Sequence, residues 1–158
     1  MHMESRLDFV PARETNDTLA ICFSESLGLG VRALIAAGRG AVLDRFTGAI
    51  GPTITQHSLQ VRPGLHIFDT RFVGYLSHGC DPNCRLDMDR FELAALRDIA
   101  AGELLTIDYA ATEDHLHVQF ACHCGADDCR RWITGRHDPV NGAGALYLAI
   151  HGERLRTA

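Results

Sequence analysis

A chain of 158 residues fits one domain and is long enough to bury a core without disulfides. Its 46% apolar and 22% charged residues exclude an intrinsically disordered chain. A formal charge of −5 argues against nucleic acid as the main partner, because phosphate binding needs a basic surface.

Met1-His2-Met3 reads as an appended start, and Met1 to Val10 carries no apolar run of signal-peptide type. Thr18 to Phe23 reads as the first strand. Gly28-Leu29-Gly30 is expected to break it, with Val31 to Ile35 as the next strand and Ala41 to Phe46 after the Gly38-Arg39-Gly40 turn. Thr47 to Thr55 is rich in turn residues, Gln56 to Val61 is extended, and Arg62-Pro63-Gly64 turns into a short strand, Leu65 to Phe68. Helix is expected near Val73 to Leu76. Phe91 to Leu96 and Leu104 to Ile107 read as the last two strands, and Ala143 to Ile150 as a helix. That helix is apolar nearly all round, so it is expected to dock. Many short elements punctuated by glycine and proline make the chain mostly β. No apolar stretch reaches the ~18 residues of a membrane span, and without a targeting signal the expected location is cytoplasmic.

Six cysteines without a secretion signal point to reduced thiols or a metal. Three of them, Cys122, Cys124 and Cys129, fall within eight residues around Gly125. Zinc takes four tetrahedral thiolate or imidazole ligands, so a fourth is required. The spacing leaves Cys80, Cys84 and His123 as candidates. The intervals of one and four residues exclude a redox C-x-x-C pair.

Two further segments carry dense polar chemistry: Ser77-His78-Gly79-Cys80-Asp81-Pro82-Asn83-Cys84, and Gly102-Glu103-Leu104-Leu105-Thr106-Ile107-Asp108-Tyr109. Taken alone, Asp81-Pro82-Asn83 is a generic turn and Tyr109 a packing residue at a strand end. Their order is informative. Gly28-Leu29-Gly30, the Ser77–Asn83 segment, the Gly102–Tyr109 segment and the cysteine cluster followed by Arg130-Arg131-Trp132-Ile133 together resemble a SET-domain lysine methyltransferase with its post-SET zinc segment. The resemblance covers roughly 19–135.

The resemblance implies a SET-type β-clip fold of small sheets with a knot-like crossing, plus a zinc-bound C-terminal post-SET segment. It divides the chain into an N-terminal extension (1–17), a SET domain (18–110), a post-SET segment (111–135) and a C-terminal helix or tail (136–158). It implies S-adenosylmethionine contacts at Gly28, Leu29, Gly30, Tyr75, Ser77, His78, Tyr109 and Trp132, with Tyr109 catalytic. It implies zinc at Cys80, Cys122, Cys124 and Cys129, choosing Cys80 over Cys84. The implied reaction is methyl transfer to a lysine amine of a protein or peptide. The alternatives are a small-molecule amine or other nucleophile as acceptor, or a zinc-bound interaction module without catalysis.

Three positions depart from the family pattern. Ser77 stands where Asn is usual, Gly74 where many members have Arg, and Ile107 where many have Phe or Tyr. Other residues have bland readings: His57 and His66 as surface or hydrogen-bonded histidines, Asp114, His115 and His117 as a free polar loop, Cys22 as a core residue, and Glu103 as a surface turn residue.

Overall fold

The computed structural model describes residues 10–152. Met1-His2-Met3, most of the extension at 1–17 and the end of the tail lie outside the described residues. The fold is mostly β, as expected, and is built from sheets of two or three short strands.

The first sheet is an antiparallel meander of β1 (Val10–Thr15), β2 (Leu19–Ser24) and β3 (Gly28–Ala33). The side-chain oxygen of Asn16 makes the first turn by accepting from the backbone N–H groups of Thr18 and Leu19 at 2.9 and 2.7 Å. β2 does not alternate: Leu19, Ala20, Ile21 and Cys22 are all buried, so both faces are covered. Gly28-Leu29-Gly30 does not break the chain. Gly28 pairs with Ser24 and Gly30 with Cys22, so the glycines open β3.

A second sheet orders β4 (Val42–Arg45), β10 (Glu92–Ala95) and β9 (Cys84–Asp87). Asp87 ties the β9–β10 turn by accepting from the N–H groups of Asp89 and Arg90, both at 3.1 Å. A third sheet, β5 (Ala49–Gly51), β7 (Leu65–Phe68) and β6 (Leu59–Arg62), uses the Pro63-Gly64 turn, where Gly64 takes a φ of +77° that only glycine adopts freely. β5 falls inside the turn-rich segment Thr47 to Thr55, where no strand was expected. A single 3-10 turn, Val73–Tyr75, stands where helix was expected.

The remaining elements build the site. β8 (Ser77–His78) pairs in parallel with β11 (Thr106–Ile107), β12 (Phe120–Ala121) pairs with β13 (Trp132–Ile133), and α1 (Tyr109–Thr112) is one helical turn. β11 is shorter than expected because Leu104 and Leu105 bond instead to the first sheet: Leu104 bridges Arg32, and the N–H of Leu105 donates to the Val31 carbonyl at 2.8 Å.

One core joins the sheets, with Leu19, Val31, Phe72, Leu93, Leu105 and Ile107 at its centre. Removing a ring such as Phe72 from it would cost roughly 3–5 kcal/mol.

α2 (Gly142–Gly152) is the expected C-terminal helix, capped by Asn141, whose side-chain oxygen accepts from the Gly144 N–H at 2.8 Å. It docks less fully than its apolar sequence implied. Gly144 is its one buried residue, while Leu146 and Ile150 are 64% and 50% exposed. Among the described residues, no helix is long and apolar enough to cross a membrane.

Candidate functional site

The parallel register of β8 and β11 sets Ser77 beside Thr106 and His78 beside Ile107. The chain turns just beyond β11, so Tyr109 comes to rest against His78. The backbone N–H of Tyr109 donates to His78 Nδ1 at 3.1 Å, and the two rings meet edge to face with centroids 5.2 Å apart. The Tyr109 hydroxyl donates to the Leu76 carbonyl at 2.5 Å. Asp108 caps α1 by accepting from the Ala110 N–H at 3.0 Å.

Burial, followed by the nearby Glu113 carboxylate, pushes the Tyr109 phenol up to about 12. It is therefore a protonated hydroxyl at neutral pH. The His78 side chain is 2% exposed. Burial, with Arg130 acting in the same direction and Asp108 opposing, pushes its imidazole down to about 4, so the ring is neutral. Both ring nitrogens face a group that can only donate, the Tyr109 N–H at 3.1 Å from Nδ1 and Arg130 Nη2 at 3.4 Å from Nε2; the shorter contact makes Nδ1 the bare nitrogen and leaves the proton on Nε2. Nε2 lies 3.4 Å from the Cys80 sulfur. The 3.9 Å approach of His78 Nδ1 to Asp108 is consequently no ion pair at neutral pH. Asp108 pairs instead with Arg130, at 2.6 and 3.1 Å.

The sulfurs of Cys80, Cys122, Cys124 and Cys129 all lie within 4.8 Å of one another. Zn–S bonds of about 2.3 Å place tetrahedral sulfurs about 3.8 Å apart, and Cys80 and Cys122 stand at 3.9 Å. Four soft thiols in that arrangement fit zinc. Gly125, at φ +77°, makes the turn that returns Cys129 to the cluster. Burial raises the Cys80 and Cys122 thiols, so a metal must displace their protons. Cys84 lies apart in the core, 1% exposed, its thiol pushed up to about 12 by burial. His123 is exposed and outside the cluster.

Gly28 has a φ of +71°, and a Cβ built there would meet nothing within 4 Å. Gly30 differs: its Cβ would lie 3.0 Å from both the Ser77 hydroxyl and Leu104 Cδ1, so this glycine admits protein side chains. Leu29 and Tyr75 line a cleft of about 580 Å³ together with His57, Asp69, Arg71 and Gly74, a volume that suits a small-molecule ligand. Asp69 and Arg71 both adopt left-handed φ values, 57° and 68°, on its wall. Gly74 has a packing reason. A Cβ there would lie 2.4 Å from the His57 carbonyl oxygen, and the His57 ring bonds the Gly74 carbonyl at 3.1 Å and stacks on Tyr75 at 4.4 Å.

Trp132 sits beneath α2. Its indole N–H donates to Gln119 at 2.9 Å, and Tyr147 stacks on it at 5.6 Å. A Cβ on Gly144 would lie 2.2 Å from the indole nitrogen.

Sequence reasoning missed three participants. Asn83 is 2% exposed, and its side chain joins the two motifs, donating to the Leu104 carbonyl and accepting from the Thr106 N–H, both at 2.8 Å. Its place in a Pro-Asn pair after Cys80 was the available signal. Arg130 bridges Asp108 to the Cys80 sulfur, to which its backbone N–H donates at 3.5 Å. Phe120 packs edge to face on both His78 and Tyr109. The free polar loop is also corrected: Asp114 is buried in hydrogen bonds, and His115 pairs with Asp138 at 2.6 Å. His66 is buried, not a surface residue.

Comparison with known proteins places this arrangement. A methyltransferase, flvH, of Aspergillus flavus is 36% identical over 110 residues, 68% of this chain and 62% of that protein. Human histone-lysine N-methyltransferase 2D is 37% identical over 80 residues, 44% of this chain and 1% of that protein. The chain thus spans about three-fifths of the fungal relative and a small part of the human one. A crystal structure of KRYPTONITE with mCHG DNA and SAH superposes with a TM-score of 0.59 at 25% identity, over 75% of this chain and 30% of that one. A family model described as the SET domain matches residues 28–110, just over half of the chain, and the chain belongs to the SET-domain family.

Proposed function

We propose that this chain transfers a methyl group from S-adenosylmethionine to an amine nitrogen, with a protein lysine side chain as the acceptor. One observation carries the reading: Leu76, Tyr109, His78 and Cys80 form an unbroken line of contacts from a tyrosine hydroxyl to a four-thiol cluster. The human relative is named a histone-lysine methyltransferase, and the KRYPTONITE structure holds SAH; both names support this acceptor and this cofactor.

When bound, the cofactor supplies an electrophilic methyl group on a sulfonium. The chain's residues align the reactants, and alignment of this kind is worth roughly 7–11 kcal/mol. Gly28 leaves open space beside the first sheet. Leu29 and Tyr75 wall a cleft of small-molecule size whose lining does not include Tyr109, Ser77 or His78. Tyr109 stays protonated, so it is no general base. Its proton is directed to Leu76, which leaves the oxygen lone pairs to stabilise positive charge at the reacting centre. A lysine amine, with a pKa of about 10.4 in water, must arrive neutral, and the burial around Tyr109 favours that form. Zinc on the four thiols would hold the tail, tying Cys80 and the neighbouring His78 on one side to the β12–β13 pair on the other.

A small-molecule amine is the second reading. It is favoured by the fungal relative, which matches 68% of this chain and is named a methyltransferase with no lysine acceptor in its name. Both readings are tested by incubating the zinc-loaded protein with methyl-labelled cofactor, first with basic proteins and then with a metabolite extract. Mass spectrometry then locates the label. Label on lysine in protein supports the first reading. Label confined to the extract supports the second, and label in neither overturns both.

A further inference from the structure

We propose that Glu113 is a positioning residue for Tyr109, the central member of a buried latch through which the seating of the tail at 135–137 is felt at the site. The inference rests on the assignment of Tyr109 above. Three stretches far apart in sequence meet at this point. Gln60, from β6, and Glu113 and Asp114, from the end of α1, are 5%, 6% and 8% exposed. The Gln60 N–H donates to both Glu113 carboxylate oxygens, at 2.8 and 3.1 Å. The Gln60 side chain then donates to Asp114 Oδ2 and accepts from the Asp114 N–H, each at 2.8 Å. Gln60 is thus held at backbone and side chain by two consecutive residues.

The tail closes the latch. The Arg136 N–H donates to the Glu113 carbonyl at 2.8 Å, and the His137 N–H to the Asp114 carbonyl at 2.9 Å. The Arg136 guanidinium pairs with Asp114 Oδ1 at 2.8 Å. Gly135 lies so close that a Cβ would stand 2.4 Å from the Asp114 carbonyl oxygen. Tyr109 is one helical turn away: its carbonyl accepts from the Glu113 N–H at 2.8 Å. The sheet of β6, the Tyr109 turn and the tail beyond the zinc cluster are therefore bolted together at one buried carboxylate pair. The Tyr109 ring is held separately, by its hydroxyl's bond to the Leu76 carbonyl and by edge-to-face packing on His78. A shift of Glu113 moves the backbone that carries the ring.

The test compares zinc-loaded wild type with Glu113→Ala, Glu113→Gln, Gly135→Ala and the Glu113→Ala/Gly135→Ala double variant. The readouts are amide hydrogen exchange at 109–113, zinc content, SAH affinity and turnover. Glu113→Ala should speed exchange at 109–113 at least tenfold and lower kcat at least tenfold, with zinc content unchanged and SAH affinity within threefold. Glu113→Gln keeps an acceptor for the Gln60 N–H and should restore most of both losses. Gly135→Ala should speed exchange at 109–113 in the wild type and add little in the Glu113→Ala background. Unchanged exchange in Glu113→Ala, or fully additive effects in the double variant, overturns the latch whether or not the protein turns over. A wild type that never transfers methyl groups overturns the proposed function instead, and the exchange results still decide the latch.

Discussion

The backbone N–H of Tyr109 donates to His78 Nδ1 at 3.1 Å, and this bond fixes the His78 proton on the nitrogen that faces the Cys80 sulfur at 3.4 Å. One ring therefore serves two sites: it accepts from the segment that carries the tyrosine and points an N–H at a metal-binding sulfur. Outer partners of this kind commonly change metal affinity ~10–100-fold. His78→Ala should lower zinc affinity by about that factor, measured by competition with a chromogenic zinc chelator. His78→Gln, which keeps an acceptor and a donor, should lose less. Equal zinc affinity in His78→Ala and wild type would show that the ring has no hold on Cys80.

Tyr109→Phe removes one hydroxyl and its bond to Leu76. Loss of one preorganised group at a reacting centre typically costs ~10²–10³ in kcat. Steady-state kinetics should show a fall of that order, with SAH affinity in equilibrium titration nearly unchanged. Loss of cofactor affinity in parallel with kcat would reassign Tyr109 to cofactor binding.

Removing zinc should loosen one region first. β12 and β13 are two residues each and are held between Cys122, Cys129 and the Trp132 contacts, whereas β2, β3 and β10 lie in the main core. Hydrogen exchange after chelation should therefore accelerate across 119–134 and leave 19–33 and 92–95 protected. Uniform loss of protection would mean that the metal holds the whole fold.

The Glu113 carboxyl makes stability pH-dependent. Burial, reinforced by Asp114 and opposed by the Gln60 and Thr112 hydrogen bonds and Arg136, pushes it from 4.5 to about 7. A carboxyl whose folded pKa is raised holds its proton more tightly when folded. Its contribution is complete below about 4.5 and is lost as pH rises through about 7. Differential scanning calorimetry at pH 5 and pH 8 should show the wild-type Tm falling relative to Glu113→Gln by roughly several degrees. An unchanged difference between the two proteins would place the carboxyl at its ordinary pKa.

Trp132 is the single tryptophan in the chain, so its emission reports the α2 contact directly. Gly144→Val should force the helix off the indole, because even a Cβ would stand 2.2 Å from the indole nitrogen. A red-shifted emission maximum is expected, and an unshifted one would mean that α2 does not cover the ring in solution.

Three of the four clustered cysteines, Cys122, Cys124 and Cys129, were legible from their spacing, whereas Cys80, His78 and Tyr109 were singled out by the resemblance to the SET family, their own residue types leaving other readings open. Their proximity was not readable: it follows from the parallel register of β8 and β11, two-residue strands with no periodicity to detect. The strand opening at Gly28 was misread because glycine signals a break in isolation, while here it is paired across β2 and needed for close packing at Gly30. Asp114 looked like a loop residue because its partners, Gln60 and Arg136, are remote in sequence. The same is true of Gly74, whose reason is the His57 carbonyl above it.

The central claim is that the four-thiol cluster completes a cofactor site beside Tyr109. Calorimetric titration of SAH into zinc-loaded and chelator-stripped protein tests it most directly. The loaded protein should bind one equivalent, and the stripped protein at least tenfold more weakly. Absence of binding by the loaded protein, or equal binding by both, would contradict the account.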